Sequence, residues 1–261
     1  MNRTKHIPDT RGTAFLLVFA AGVLAAPSQA SGDRPVAAIA KAEVSPAGAE
    51  VSPAGEEISP DGGAAASPFD EAGWDDAVIG SIESGVFSRA LASAESAVNR
   101  GEADVSTLTV IDFSRPSTER RLWVYDLRSK ELLFEEHVSH GRHSGHNLPT
   151  LFSNEPESHK SSLGLFRAAE GYYGKHGYSL RLDGLEPGFN DRARERAIVI
   201  HGAAYVNAET AKAQGRLGRS LGCPAVRPAV AARLIDAVKE GGLVFAYYPD
   251  PAWLDASTYL N

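Results

Sequence analysis

The stretch that decides the fold and the chemistry of this chain runs from Ile198-Val199-Ile200-His201-Gly202 to Gly218-Arg219-Ser220-Leu221-Gly222-Cys223-Pro224. Its first part is an apolar run of β-branched residues, typical of a buried strand, and it ends on a histidine. Its last part holds Cys223, the only cysteine of the chain, which follows His201 by 22 positions. The pair predicts a thiol nucleophile with its base. The alternative is a buried, inert cysteine.

The residue types around the pair fit that chemistry. A cysteine near its usual pKa is mostly protonated at neutral pH and needs a base or nearby positive charge. His201 is the candidate base, and Gly202 lets a carbonyl approach the imidazole and fix which nitrogen faces the sulfur. Gly222 permits a tight turn, and the amides of Gly222 and Cys223 are candidate donors to the oxygen of an attacked carbonyl. Such a donor commonly contributes about a hundredfold or more in rate.

Working outward from this stretch, the periodicity predicts a mostly β domain. Runs of period two, or continuous apolar runs, predict strands over 108–113, 121–127, 132–138, 178–182, 197–200 and 243–248. Apolar residues spaced by three and four predict one helix from Val86 to Val98. Pro228 at a first turn and Gly241-Gly242 at the end delimit a second helix over 228–239.

The first 68 residues predict export and a tether. Positive residues, an apolar run over 15–26 and the small residues Ser28-Gln29-Ala30 predict a signal peptide over 1–30. A short membrane anchor is the alternative, but the run falls short of the roughly 20 residues that span a bilayer. Residues 31–68 are rich in Ala, Gly, Ser, Pro and Glu and contain a seven-residue repeat over 44–62, whose prolines and glycines predict a disordered linker. A helical extension over 69–106 and a catalytic domain over 107–261 follow. After signal cleavage no stable membrane span is expected.

Charge excludes one class of partner. The chain has 26 Lys and Arg against 33 Asp and Glu, a net charge of −7, so the electrostatic footprint of a nucleic-acid-binding protein is missing. One basic run, Arg192-Ala193-Arg194-Glu195-Arg196, is predicted to be a solvated loop. Acidic peptides remain candidate partners, because one or two arginines in a groove can hold a carboxylate.

Four histidines spaced by three form a second conspicuous feature: His137, His140, His143 and His146. Neutral imidazoles bind zinc, so a metallohydrolase is a rival hypothesis. Gly141 and Gly145 interrupt any helix there, and no carboxylate stands at the spacing of a zinc motif. We therefore expect a loop of polar histidines with no metal, which could still rim a functional groove.

His201-Gly202 and Gly218 to Cys223 resemble the His-Gly and Ser-x-Gly-Cys motifs of the L,D-transpeptidase (YkuD-type) catalytic domain. The string Tyr172-Tyr173-Gly174-Lys175-His176-Gly177-Tyr178-Ser179-Leu180-Arg181-Leu182-Asp183-Gly184-Leu185, with Ser220 to Val226, is similar to the murein L,D-transpeptidase catalytic-domain subfamily. The likeness covers roughly 107–248.

The resemblance implies a β-sandwich or barrel of mixed strands in which Cys223 attacks a peptidoglycan stem peptide and forms an acyl-enzyme. An amine then takes the acyl group, giving a 3→3 cross-link, or water takes it, giving trimming. The implied roles are nucleophile for Cys223, base for His201, carbonyl support for Gly202, and oxyanion or loop support for Ser220 and Gly222. No metal or organic cofactor is implied. Carbapenem-type inhibitors are candidate ligands, and the periplasm or cell wall is the expected location.

The chain departs from the family pattern at two positions. Many relatives have a second histidine where this chain has Leu221, and many have Arg or Asn where it has Ala225. Substrate binding is therefore assigned to candidates nearby and in the long string: Arg219, Arg227, His176, Tyr173 and Arg181. Three function classes stay open besides the metallohydrolase: a cross-linking transpeptidase, a carboxypeptidase or wall-peptide hydrolase of the same chemistry, and a non-catalytic wall-binding module.

Overall fold

The computed structural model describes residues 67–103 and 105–261. Its helices are α1 (Asp76–Ile79), α2 (Ser84–Asn99), α3 (Ala208–Gln214), α4 (Pro228–Val238) and α5 (Pro251–Ala256). Its strands are β1 (Thr107–Asp112), β2 (Leu122–Asp126), β3 (Glu131–Glu136), β4 (Gly164–Gly174), β5 (Gly177–Gly184), β6 (Val199–Gly202), β7 (Ala225–Val226) and β8 (Leu243–Tyr247). The prediction of a mainly β fold, with one helix before the strands and one after the cysteine segment, is confirmed.

One mixed sheet organises the domain, in the order β3-β2-β1-β8-β4-β5-β6-β7. β1 pairs with β8, and β6 with β7, in parallel, and the other neighbours are antiparallel. Beyond β3 the chain returns to the far edge, where Ser139 bridges Ala225 of β7 and Gly141 bridges Ser220. These bridges bring the two edge strands together, so the sheet is a nearly closed barrel.

The predicted strands and helices are present with shifts of a few residues at their ends, but β4 was not predicted. It has 11 residues and is the strand that joins β8 to β5. Its pairing with β5 shifts register between Ala168 and Gly171, and its exposure does not alternate. A bulge of this kind erases the period-two pattern on which strand prediction depends.

Helix α3 was also missed, although its ends carry clear signals. The Asn207 side chain accepts hydrogen bonds from the amides of Glu209 and Thr210, and Gly215 ends the helix at φ 70°. Only Ala211 of this helix is buried, so the sequence shows no apolar stripe. The helix lies in the crossover between β6 and β7, since a parallel pair requires a long connection.

Helices α2 and α4 share one apolar core with the sheet. Helix α2 buries Val86, Phe87 and Leu91 in the same cluster as β1 and β8, and α4 buries Val230, Leu234 and Ile235 in it. A smaller apolar cluster, Ala203, Val206, Ala211, Leu217 and Ala225, packs the crossover between β6 and β7. The crossover that separates His201 from Cys223 is therefore a packed unit.

Among the described residues, no helix combines the length and apolarity needed to cross a membrane. The predicted signal peptide and nearly all of the predicted linker lie outside the described residues. Helix α2, within the predicted extension over 69–106, shares its core with the strands.

Candidate functional site

The barrel brings the two ends of the deciding stretch to one place. His201 lies at the end of β6, and Cys223 lies two residues before β7. Parallel pairing sets His201 opposite Ala225 and Gly202 opposite Val226. Both His201 and Cys223 line one cavity of about 560 Å³. This volume is in the usual range for small-ligand sites.

The imidazole of His201 is held in one tautomer. Its Nδ1 lies 3.0 Å from the carbonyl oxygen of Gly202, and because a carbonyl only accepts, Nδ1 carries the proton. Nε2 is left with a free lone pair. Burial lowers the pKa of His201, and the charges of His176 and Lys175 lower it further, against the opposing contact with Gly202. The ring is therefore neutral at neutral pH and can accept a proton.

The thiol of Cys223 starts protonated. Burial raises its pKa, an effect opposed by a hydrogen bond from the Val199 amide and by the charges of Lys175 and Arg196. The Sγ–H donates to the carbonyl oxygen of Ala197 at 3.6 Å. Ala197 has a φ of 53°, which is unusual outside glycine and is found at functional sites. Because the thiol keeps its proton, nucleophilic attack requires a base.

The turn before Cys223 is held by the side chain of Ser220. Ser220 Oγ donates to the carbonyl of Cys223 at 2.6 Å and accepts from the amide of Gly222 at 3.0 Å. The predicted pair of amide donors is thus corrected, because the Gly222 amide is already bonded. The Cys223 amide remains as a donor. Gly222 has a φ of 125°, and a Cβ there would lie 2.8 Å from the Lys160 carbonyl, so only glycine fits.

The segment after β3 braces this turn. The amide of Ser220 donates to the His140 carbonyl at 3.0 Å. The buried Arg121 donates to Nδ1 of His140 at 2.7 Å and to the carbonyl of Val138. Burial, with the charge of Arg121, lowers the pKa of His140 to about 3, so this ring is neutral at all working pH values. The contact between Arg121 and His140 fixes the segment after β3, which supports the turn at Ser220.

Two of the predicted substrate-binding residues lie in the cavity. Arg219 lines it and donates from Nη1 to the carbonyls of Arg142 and Gly145, at 3.0 and 2.7 Å. His176 lines it from the hairpin between β4 and β5. Its ring stacks on that of His201, with centroids 4.3 Å apart and an interplanar angle of 22°. The stacking places a second imidazole against the candidate base.

The other three lie outside the lining of this cavity. Arg227 makes a two-pronged ion pair with Glu136, at 2.8 and 2.6 Å. Arg181 pairs with Glu170 at 2.9 Å and covers the ring of Tyr172. Tyr173 is 84% exposed and stacks on Tyr178. Their contacts are those of a pairing or packing role.

Sequence reasoning missed five residues that line the cavity: Arg142, His159, Lys175, Arg196 and Tyr205. Burial raises the pKa of Tyr205 to about 12, and its ring lies against Gly218, where a Cβ would collide with it. Arg196 corrects the prediction of a solvated basic run. It is half-buried and lines the same cavity as Cys223, whereas Arg194 of the same run is exposed. The only sequence signal for the placement of Arg196 is that successive side chains of a loop point to different sides.

The four spaced histidines go to four different places. His137 Nε2 contacts the carbonyl of Thr118, His143 Nδ1 that of Ser158, and His146 Nε2 the guanidinium of Arg216, while His140 is buried against Arg121. In residues 67–103 and 105–261 no group of three or more His, Cys, Asp or Glu side chains is arranged to hold a metal ion. From this loop it is Arg142 that reaches the cavity.

Comparison with known proteins identifies a family for this chain. Residues 79–247 match the family model of the L,D-transpeptidase catalytic domain. No curated protein sequence matches the chain.

Solved structures with a similar chain trace include an L,D-transpeptidase from Mycobacterium smegmatis, at 16% identity and a TM-score of 0.35, covering 55% of this chain and 59% of that one. An L,D-transpeptidase from Stackebrandtia nassauensis has 14% identity and a TM-score of 0.34, covering 62% and 67%. An LD-transpeptidase in complex with imipenem has 18% identity and a TM-score of 0.34, covering 54% and 59%. The similarity to the first of these extends over 59% of its length.

Proposed function

The chain belongs to the L,D-transpeptidase catalytic domain family, and from that premise we propose that it is a peptidoglycan L,D-transpeptidase acting through Cys223. The observation that carries the proposal is the shared cavity. It holds the only cysteine of the chain together with a neutral histidine whose Nδ1 proton is fixed by the Gly202 carbonyl.

The chemistry uses a thiol that is protonated in the resting site. The imidazole of His201 takes the proton from Sγ as the sulfur attacks the carbonyl carbon of the donor peptide. The amide of Cys223 donates to the developing oxyanion. When the peptide bond breaks, the imidazolium returns its proton to the departing amine, and a thioester remains. An acceptor amine then attacks the thioester, loses a proton to His201 and releases the sulfur.

The electrostatics of the cavity suit a carboxylate-bearing donor. Arg142, Lys175 and Arg219 line it, and none of them lies within ion-pair distance of a carboxylate among the described residues. Glu157 and Glu195 are the acidic residues of the lining. Cations without acidic partners attract anionic ligands, and arginine binds carboxylates with two hydrogen bonds. A stem peptide with free carboxylates has the matching charge.

The proposed place of action is outside the cytoplasm. The predicted signal peptide over 1–30 supports export, and the predicted linker over 31–68 would let the domain reach the wall polymer. A single thiol without a disulfide partner is consistent with a sulfur kept for chemistry.

The test uses purified protein and tetrapeptide-bearing muropeptides. We expect cross-linked dimers, resolved by chromatography and mass spectrometry, and none with Cys223→Ser, since an alcohol is a far weaker nucleophile here. A carbapenem should add its mass to the wild type and not to Cys223→Ala. Because the chain has one cysteine, such labelling identifies the nucleophile directly.

The other outcomes separate the alternatives. Shortened monomers without dimers would replace the transpeptidase by a carboxypeptidase of the same chemistry. Binding to wall fragments with neither product nor label would leave a non-catalytic module. Cross-linking that persists in Cys223→Ser would overturn the assignment of the nucleophile.

A further inference from the structure

Two arginines of one loop, Arg194 and Arg196, have opposite surroundings. Arg194 is exposed and is paired with both Asp183 and Glu170. Arg196 is half-buried and lies within ion-pair distance of no carboxylate among the described residues. The charge of Arg194 is neutralised at the surface, whereas that of Arg196 is carried into the cavity.

All of the hydrogen bonds that the Arg196 side chain makes end on neutral oxygens of one segment beside the cavity, residues 153–162, called here the 153–162 wall. Its Nη1 donates to the Ser153 carbonyl at 2.6 Å and to Ser162 Oγ at 2.5 Å. Its Nη2 donates to Ser158 Oγ at 3.2 Å and to the Lys160 carbonyl at 2.7 Å. Four neutral acceptors fix the position of the guanidinium, and none of them carries a negative charge that would pair with it.

The same guanidinium lies beside the turn that carries the nucleophile. Its Nη2 is 3.5 Å from the point where a Cβ on Gly222 would stand, and the Lys160 carbonyl that it binds is 2.8 Å from that point. The next residue after Arg196 is Ala197, whose carbonyl accepts the thiol proton of Cys223. Residues 196 and 197 thus contact the nucleophile and its turn from one side.

We propose that Arg196 is a positioning residue that holds the 153–162 wall against the nucleophile turn and stabilises the thiolate of Cys223 with an unpaired positive charge. A cation close to a thiolate favours the charged form, and the effect is strongest where solvent is displaced. Burial raises the pKa of the Cys223 thiol, and a hydrogen bond from the Val199 amide and the charges of Lys175 and Arg196 oppose this rise. The effect of this charge on the sulfur does not depend on the identity of the substrate. Its consequence for turnover rests on the proposed function.

The test measures the rate at which iodoacetamide alkylates Cys223, as a function of pH, in the full chain. The single cysteine makes the adduct unambiguous. Arg196→Met should move the thiol inflection up by about one pH unit and slow alkylation at neutral pH by about tenfold, because one pKa unit is a tenfold change in thiolate. Arg194→Met, the matched control two positions away, should leave the profile within about twofold of the wild type.

A second variant separates charge from structure. Arg196→Lys keeps the positive charge but cannot make the fork of hydrogen bonds to the wall. We expect its alkylation profile to stay near that of the wild type while kcat falls in the muropeptide assay. An unchanged inflection in a folded Arg196→Met, or an inflection in Arg196→Lys as high as that of a free cysteine, would overturn the proposal. If Arg196→Met fails to fold, Arg196→Gln, which also removes the positive charge, takes its place in the same alkylation assay. Normal alkylation shifts with no muropeptide product would instead refute the proposed function.

Discussion

The outer face of strands β4 and β5 and the cavity beside them use the same residue types in opposite ways. On the outer face, Arg167, Arg181 and Arg194 are all paired with Glu170 or Asp183. In the cavity the cations of the lining lack carboxylate partners within the described part of the chain. The paired charges hold strands together, and the unpaired ones are available to a ligand or to the nucleophile. A net charge of −7 therefore says little about the charge that a substrate meets.

The acidic partners on the outer face show what pairing does. Hydrogen bonding to Arg194 lowers the pKa of Glu170 to about 2 and also lowers that of Asp183. Both carboxylates are therefore charged at neutral pH. On this face three arginines share two carboxylates, so every one of these cations has an acidic partner.

The largest expected difference between the two regions comes from removing the base of the cavity. His201→Ala should lower kcat by about 10²- to 10⁴-fold, the usual contribution of a general base. His137→Ala is the matched control, because His137 contacts the carbonyl of Thr118 and is not part of the cavity lining. Steady-state kinetics on muropeptides measure both. A loss confined to KM in His201→Ala would remove the role of base.

The pH dependence of wild-type activity also tests the role of His201 as the base. Protonated imidazole cannot accept the thiol proton, so activity should fall as the pH drops through the pKa of His201. Burial lowers that pKa from its usual value of 6.5, so the midpoint of the acid limb should lie below 6.5. The limb should be absent from the residual activity of His201→Ala. An acid midpoint above 6.5 would contradict a buried, neutral base.

A smaller effect is expected from one cavity cation. Arg142→Gln should raise KM about fivefold to tenfold for a donor peptide with free carboxylates. For the same donor with its carboxylates converted to amides, KM should not change, because a charge-assisted hydrogen bond is lost only with the free carboxylate. Arg181→Gln, on the outer face and paired with Glu170, is the control and should change neither value. Equal losses with both donors would show that Arg142 has no preference for a carboxylate.

The smallest effect is expected at Arg227. Arg227→Gln breaks the ion pair with Glu136 and should cost about 1 kcal/mol in the free energy of unfolding, the upper part of the usual range for partly exposed pairs. Activity should stay within about twofold. Thermal or urea unfolding measures the first quantity and muropeptide kinetics the second. A fivefold rise in KM would restore Arg227 to the substrate-binding role that its position in the sequence suggested.

Prediction from the sequence succeeded for features whose signal lies in contiguous residues. The strand that ends at His201, the helix that begins at Pro228 and the family itself could be read from contiguous residues. The strand β4 could not, because a bulge at Ala168 to Gly171 breaks its period. Among arginines, Arg196 was assigned to solvent since a charge run is usually exposed, yet a loop directs successive side chains to different sides.

The sequence by itself determined the single thiol, the histidine 22 positions before it, the glycines beside both and the periods of most strands. Each of these depends on residues close together in the chain. Only the tertiary structure decided which cations are paired and which face the sulfur. That choice depends on the register of β4 on β5 and on where the 153–162 wall meets the nucleophile turn. Contacts between residues distant in sequence set both, and charge pairing over a few ångströms depends on such contacts.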